Sequence, residues 1–279
     1  MNIRFWGVRG SIASPGAHTA KVGGNTSCVE VTLGKRTFVF DAGTGLRALG
    51  QDLLTRQQSK ATLLLSHFHW DHIQGLPFFV PAYVPDFGLR IIGGTHDGSV
   101  LRAALESQMQ TPGFPVAFHD LAARIDLVSV RTGQTIIDED VEVSVLKLNH
   151  PGGSYGYRLR HEGKTVVYAT DTEHYACVDP ALRKFTEGAD VLIYDAQYTP
   201  EEYAGAHGPS RVGWGHSTYV SAAELAKSAG VRELVLFHHD PNRSDDDVLG
   251  IERRARDIFG QSRAARESDI LHVSIERAA

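Results

Sequence analysis

The chain has 279 residues, enough to bury a sizeable core without staples. With 42% hydrophobic and 22% charged residues it sits in the ordinary globular range, which excludes disordered, collagen-like and coiled-coil chains. Lys and Arg total 28 against 33 Asp and Glu, a formal charge of -5, so no broad basic field is present to hold nucleic acid over an extended surface. Cys28 and Cys177 are too few for a disulfide framework or a cysteine zinc knuckle, and suit a reducing compartment. The start, Met1-Asn2-Ile3-Arg4-Phe5-Trp6-Gly7, lacks the pattern of a secretory signal. The most apolar stretch, 76–84, is short and broken by Pro77 and Pro81, so no membrane span is expected. The expectation is one cytoplasmic domain over 1–279.

In chain order, short runs rich in Val, Ile and Leu at 28–33, 36–41, 61–66, 141–148, 164–170, 190–195 and 233–237 predict strands. Helical spacing marks 46–54, 99–109, 218–229 closed by Gly230, and 247–259 with Val248, Ile251, Ala255 and Ile258 on one face. The class is α/β. The runs 28–33 and 36–41, joined at Gly34-Lys35, predict a hairpin and hence sheets with antiparallel pairing. Residues 77–120 are the least regular and are the candidate for a lid or a contact between two copies in a homodimer. A weak echo links Phe38-Val39-Phe40-Asp41 to Leu192-Ile193-Tyr194-Asp195, and Leu63-Leu64-Leu65-Ser66-His67 to Leu234-Val235-Leu236-Phe237-His238. Two similar halves stacked face to face would produce it, although apolar strands ending in Asp or His are common.

Histidine is the unusual residue, with 14 in the chain and three of them at His67, His69 and His72. Directly after the 61–66 strand comes His67-Phe68-His69-Trp70-Asp71-His72. Residues two apart in an extended segment point the same way, so His67 and His69 are placed to grip one metal. Asp71 and His72, on the turn into the next helix, are placed to face a second. Further donors stand at strand ends downstream: His150 before Pro151-Gly152-Gly153, Asp171 after 165–170, and His238 with His239 after 233–237. Asp171 has two oxygens with which to bridge a metal pair. Asp41, ending a strand before a glycine turn, is read as a hydrogen-bond partner for a ligand imidazole, with a helix N-cap as the alternative.

These features resemble the metallo-β-lactamase superfamily in its ribonuclease Z-like and cyclic-phosphodiesterase-like branch. The resemblance runs through Gly7-Val8-Arg9-Gly10-Ser11, Gly24-Asn25-Thr26-Ser27-Cys28, Asp41-Ala42-Gly43-Thr44-Gly45, the HxHxDH motif, His150, Asp171, Gly215-His216-Ser217-Thr218 and Leu236-Phe237-His238-His239-Asp240-Pro241. It implies a four-layer αββα sandwich of two mixed sheets, with two divalent metal ions at the rim. His67, His69 and His150 would hold the first, Asp71, His72 and His238 the second, and Asp171 would bridge. The family's last ligand directly follows its strand, which favours His238 and leaves His239 for phosphate contact or support of a ligand. Nitrogen-rich ligation favours zinc, with manganese or iron as alternatives.

Such a pair makes hydroxide available from a bridging water at neutral pH, which implies a metal-dependent hydrolase. Phosphodiester hydrolysis fits best, with a carboxyl-ester or lactone hydrolase as the rival. Asp71 and His216 are the catalytic candidates; His216, at a helix entrance, is expected to act on the phosphate or the leaving group. Backbone N–H groups at the start of the 218–229 helix are expected to add an anion site. Arg9, Asn25 and Ser27 are expected to line the other wall. The tRNA-trimming enzymes of the branch insert an arm between the segments matching His150 and Asp171, which here lie only 21 positions apart. That spacing moves the expected substrate from tRNA to a small, cyclic phosphodiester, with tRNA 3′ processing the lesser alternative.

Overall fold

Alternation of side chains within strands fixes where the layers lie. In the computed structural model, which describes residues 1–95, 98–206 and 208–274, the strands begin with β1 (Asn2–Gly7), β2 (Cys28–Leu33), β3 (Arg36–Phe40), β4 (Lys60–Leu65), β5 (Gly88–Gly94) and β6 (Arg124–Val130). There follow β7 (Thr135–Asp138), β8 (Val141–Leu148), β9 (Ser154–His161), β10 (Lys164–Ala169), β11 (Val191–Asp195), β12 (Glu233–Phe237), β13 (Ser262–Ala264) and β14 (Ile270–His272). They form two seven-stranded sheets, in the order β14, β1, β2, β3, β4, β5, β6 and the order β13, β12, β11, β10, β9, β8, β7. Both are mixed: β3 to β6 and β10 to β13 run parallel, while the hairpin β2–β3, paired Leu33 to Arg36, is antiparallel as its sequence predicts.

The helices are α1 (Leu46–Thr55), α2 (Trp70–Ile73), α3 (Gly98–Ser107), α4 (Pro180–Thr186), α5 (Pro200–Ala204), α6 (Tyr219–Ser228) and α7 (Asp245–Ile258). Phe38, Phe40 and Leu64 point inward and meet Tyr157, Tyr168, Ile193 and Phe237 of the other sheet. The intervening Val39, Leu63 and Leu65 point outward and pack with Leu46, Leu49 and Leu53 of α1. Leu234 and Leu236 do the same with Ala222 and Ala226 of α6 and with Ile251 and Ala255 of α7. The result is the αββα sandwich. Strands buried on both faces need apolar residues at every position, which is why they read as unbroken runs.

Residues 77–120 differ from expectation. Gly88–Gly94 is a full strand inside the first sheet, between β4 and β6, and Leu101, Leu105 and Phe118 are buried in the α1 layer. Three glycines in seven residues hide the strand from a composition-based reading, and its pairing makes Gly88–Gly94 part of the first sheet. Helix α7 starts two residues earlier than predicted, because Ser244 and Asp247 form a reciprocal cap. Among the described residues no helix is long and apolar enough to cross a membrane.

Candidate metal centre

The parallel strands β3, β4, β10, β11 and β12 end at one rim, and the next residues carry the site. Asp41, Asp171 and His238 leave their strands with φ of 59°, 53° and 60°, in the left-handed region that non-glycine residues avoid. The sharp turn brings each side chain back across the strand ends; strain of this kind, on the order of 1–3 kcal/mol each, persists only where surrounding contacts impose it. Two glycines leave room for the rings. A Cβ on Gly10 would lie 2.3 Å from the His238 ring, and one on Gly215 would lie 2.2 Å from His150 Nδ1.

All seven predicted ligands converge. The donor atoms of His67, His69 and His150 fall within 4.8 Å of one another, and so do those of Asp71, His72 and His238. Asp171 stands between the groups. Its Oδ1 is 3.7 Å from His67 Nε2 and 3.8 Å from His150 Nε2, while its Oδ2 is 3.3 Å from both His72 Nε2 and His238 Nε2.

Hydrogen bonds on the far side of four of the rings decide which nitrogen faces this space. His72 Nδ1–H donates to Asp41 Oδ2 at 2.8 Å, His150 Nδ1–H to the Gly215 carbonyl at 2.9 Å, and His238 Nδ1–H to Gln197 Oε1 at 3.0 Å. Ser66 Oγ donates to Asp41 at 2.8 Å and therefore accepts from His67 Nδ1–H at 3.0 Å. Each Nε2 then carries a lone pair. His72 Nε2 and His238 Nε2 nevertheless face each other at 3.2 Å, both close to Asp71 Oδ2, and His67 Nε2 is buried without a partner. Acceptors converging on acceptors are reconciled by a cation, so the residues present fit a divalent metal pair.

The electrostatics agree. Burial holds His67 well below the ordinary histidine pKa, keeping it neutral. Burial also opposes charge on His72, but Asp71, Asp171 and Asp41 outweigh it and raise its pKa well above the ordinary value. A proton is thus attracted to the place a cation would take.

His216 is held differently. Its Nδ1–H donates to Asp195 Oδ2 at 2.8 Å, so Nε2 is the nitrogen left for the open cleft of about 530 Å³ that His216 lines with His69, Trp70 and Asp171. Burial opposes its charge, Asp195 outweighs burial, and the pKa is pushed up to about 9. Sequence reasoning gave Asp195 no role, although its strand end repeats that of Asp41. It also missed Glu173, whose buried carboxylate accepts from Gly213 N at 2.7 Å, Gly215 N at 2.9 Å and Tyr203 Oη at 2.6 Å, fixing the loop that orients His150 and His216.

Several expectations are corrected. His239 turns away from the cleft and donates from Nε2 to the Ala265 carbonyl at 3.0 Å; it is buried and cannot touch a phosphate. Arg9 is buried and donates to the carbonyls of Gly23, Asp240 and Arg243; Asn25 binds Glu267, and Ser27 is fully buried, so none of the three forms a cleft wall. The anion site at the start of α6 is absent at Tyr219 and Ser221, because Tyr219 N donates to Tyr198 O and Ser221 N to Thr218 Oγ1. Asp41 caps no helix, since α1 starts after Gly45 without a side-chain cap. The wall opposite comes instead from Ser11, whose N–H donates to Asp71 Oδ2 at 2.8 Å.

The family model for the beta-lactamase superfamily domain matches residues 36–239. The chain belongs to the beta-lactamase superfamily. It is a metal-dependent hydrolase of that superfamily. Among curated relatives, a ribonuclease Z from Exiguobacterium sibiricum is 23% identical, the alignment covering 85% of this chain and 90% of the relative. Among solved structures, the metallo-beta-lactamase fold protein YhfI from Bacillus subtilis aligns with a TM-score of 0.73 at 20% identity, covering 97% of this chain and 98% of that one. A diphosphatase from the PhnP family aligns with a TM-score of 0.69 at 17% identity, covering 98% of each chain. These structural likenesses support the fold of this superfamily member.

Proposed function

We propose that the protein hydrolyses a small phosphodiester, such as a cyclic nucleotide or cyclic sugar phosphate. Two divalent cations, zinc favoured, would be held by His67, His69 and His150 and by Asp71, His72 and His238, with Asp171 between them. The observation that carries the reading is one cleft in which a two-sided ligand set meets a separate Asp195–His216 pair. Bound there, two adjacent cations supply Lewis-acid charge and a water of lowered pKa. The chain supplies the rest. Asp171 spaces the two groups of ligands through its separate oxygens, and Asp41, Ser66, Gln197 and Gly215 orient the imidazoles. Asp71 is steadied by the Ser11 N–H. His216, held protonated at neutral pH by Asp195, is suited to donate to the leaving oxygen of a diester. A carboxyl-ester or lactone substrate has less need of that donor when its alkoxide leaves easily.

The small substrate is supported by the hairpin β9–β10, which pairs His161 directly with Lys164 and leaves no room for an arm between His150 and Asp171. The test is a panel of cyclic nucleotides, bis(p-nitrophenyl) phosphate, aryl esters, lactones and precursor tRNA, run beside elemental analysis. The expected result is about two metals per chain, from the count of ligands, with turnover of small diesters exceeding that of esters and tRNA. Efficient tRNA 3′ trimming would remove the small-substrate reading, and preferred lactone hydrolysis would remove the phosphodiester one.

A further inference from the structure

A second hollow, of about 380 Å³, opens beside His69 and shares Phe68 and His69 with the metal cleft. It is built into the frame. Tyr155 N donates to Ser66 O at 2.9 Å, tying its wall to the residue before the metal motif, and a Cβ on Gly94 would lie 2.1 Å from the Tyr155 ring, so only glycine admits that ring. Lys147 is the cross-strand partner of Tyr155 on β8 and β9, and its stem passes Gly153, whose Cβ would lie 3.6 Å from Lys147 Cε. Two polar groups there lack partners. Among the described residues, the exposed Lys147 makes no ion pair and Thr95 Oγ1, in a residue only 5% exposed, has no hydrogen-bond partner. Phe68 and Val100 give the hollow an apolar side.

Hydrolysis of a phosphodiester breaks one of its two P–O bonds to carbon-bearing oxygens, and in a cyclic diester the freed oxygen stays on the same organic group. With that oxygen on the His216 side, as the phosphodiesterase reading has it, the organic group still joined through the other oxygen would extend past His69 towards this hollow. We propose that the hollow receives a retained organic group carrying a second anion, a phosphate monoester, which Lys147 recognises with help from the Thr95 hydroxyl. The proposal rests on the phosphodiesterase reading. It narrows the substrate class to diesters that bear another phosphate a few bonds from the scissile one.

The test compares thymidine 5′-(p-nitrophenyl phosphate) with its 3′-phosphorylated form, thymidine 3′-phosphate 5′-(p-nitrophenyl phosphate). The scissile bond and leaving group are the same, and only the added phosphate differs. The wild-type metal-loaded enzyme should prefer the phosphorylated ester by about tenfold in kcat/KM, the range of a hydrogen bond to a charged group, and the preference should shrink as salt is raised. Lys147→Gln should bring the ratio close to one, and Lys147→Arg should retain most of it. Turnover of both esters with no preference, or a preference that survives Lys147→Gln, overturns the proposal and leaves the phosphodiesterase reading standing. Turnover of neither ester overturns both.

Discussion

Asp41 with His72 and Asp195 with His216 are near copies of one device. Both carboxylates stand at the end of a strand whose parallel neighbour leads into a histidine of the cluster, and both take an imidazole Nδ1–H at 2.8 Å. Each also collects three further donors. Asp41 accepts from Ser66 N, Ser66 Oγ and Tyr168 Oη, and Asp195 from Asp171 N, Gln197 N and Ser217 N. What differs is the surroundings of the second nitrogen. His72 Nε2 is buried against Asp71, Asp171 and His238, whereas His216 borders the open cleft. Under the proposed function the same pair would therefore orient a metal ligand in one half of the molecule and a proton donor in the other, with location assigning the task.

The sharpest way to break the comparison is to remove each imidazole. His72→Ala should lose metal and, with it, activity by on the order of 10⁴-fold or more, because residues acting as one unit fail together. His216→Ala should keep its metals and lose roughly 10² to 10⁴ in rate, the range for a positioned acid or transition-state donor. Its loss should shrink for p-nitrophenolate as leaving group. Metal content measured beside kinetics on two leaving groups decides between these roles, and a metal-depleted His216 variant would make it a ligand.

Replacing the carboxylates gives a smaller contrast. Asp41→Asn should weaken metal affinity by about 10- to 100-fold, the usual effect of removing the partner of a ligand histidine. Asp195→Asn should slow poor leaving groups while metal affinity, read by competition with a chelator, stays within a few-fold. Equal loss of metal in both variants would end the distinction.

The pH profile sharpens it further. With its pKa raised to about 9, His216 carries its proton through neutrality and loses it as pH rises, so the rate on poor leaving groups should fall about tenfold per pH unit on the alkaline side. The limb lies at about pH 9 or lower, since neighbouring cations repel the same proton. His216→Ala should lack the limb.

The smallest expected effect concerns His239, beside a ligand but facing the other way. Burial lowers its pKa to about 3, so the folded state keeps it neutral where the unfolded chain takes up a proton. Its contribution to stability is complete above the unfolded value of about 6.5 and is lost as pH falls from there towards 3. The difference in denaturation midpoint between wild type and His239→Gln should therefore narrow from pH 7 to pH 5. A constant difference would show that His239 does not titrate on unfolding.

Among the described residues, seven of the fourteen strands, the four helices of ten or more residues and a candidate ligand set were legible in the chain alone. Strands buried on both faces need apolar residues throughout, and His or Asp recurring at strand ends suits metal ligation, so both leave marks in composition and spacing. The echo of Asp41 in Asp195 and of His67 in His238 was also visible, but its meaning was not. Folding settled which of two adjacent histidines faces the His and Asp cluster, because the left-handed turn at His238 sends its ring inward and that of His239 towards Ala265. Only packing showed that Gly88–Gly94 is a strand, where pairing with β4 and β6 outweighs glycine's poor propensity. Arg9, Asn25 and Ser27 looked like cleft residues because they are polar beside glycine turns, yet their partners lie in segments remote in sequence. Whether a polar side chain faces substrate or satisfies buried backbone depends on what folds against it, and spacing along the chain does not encode that.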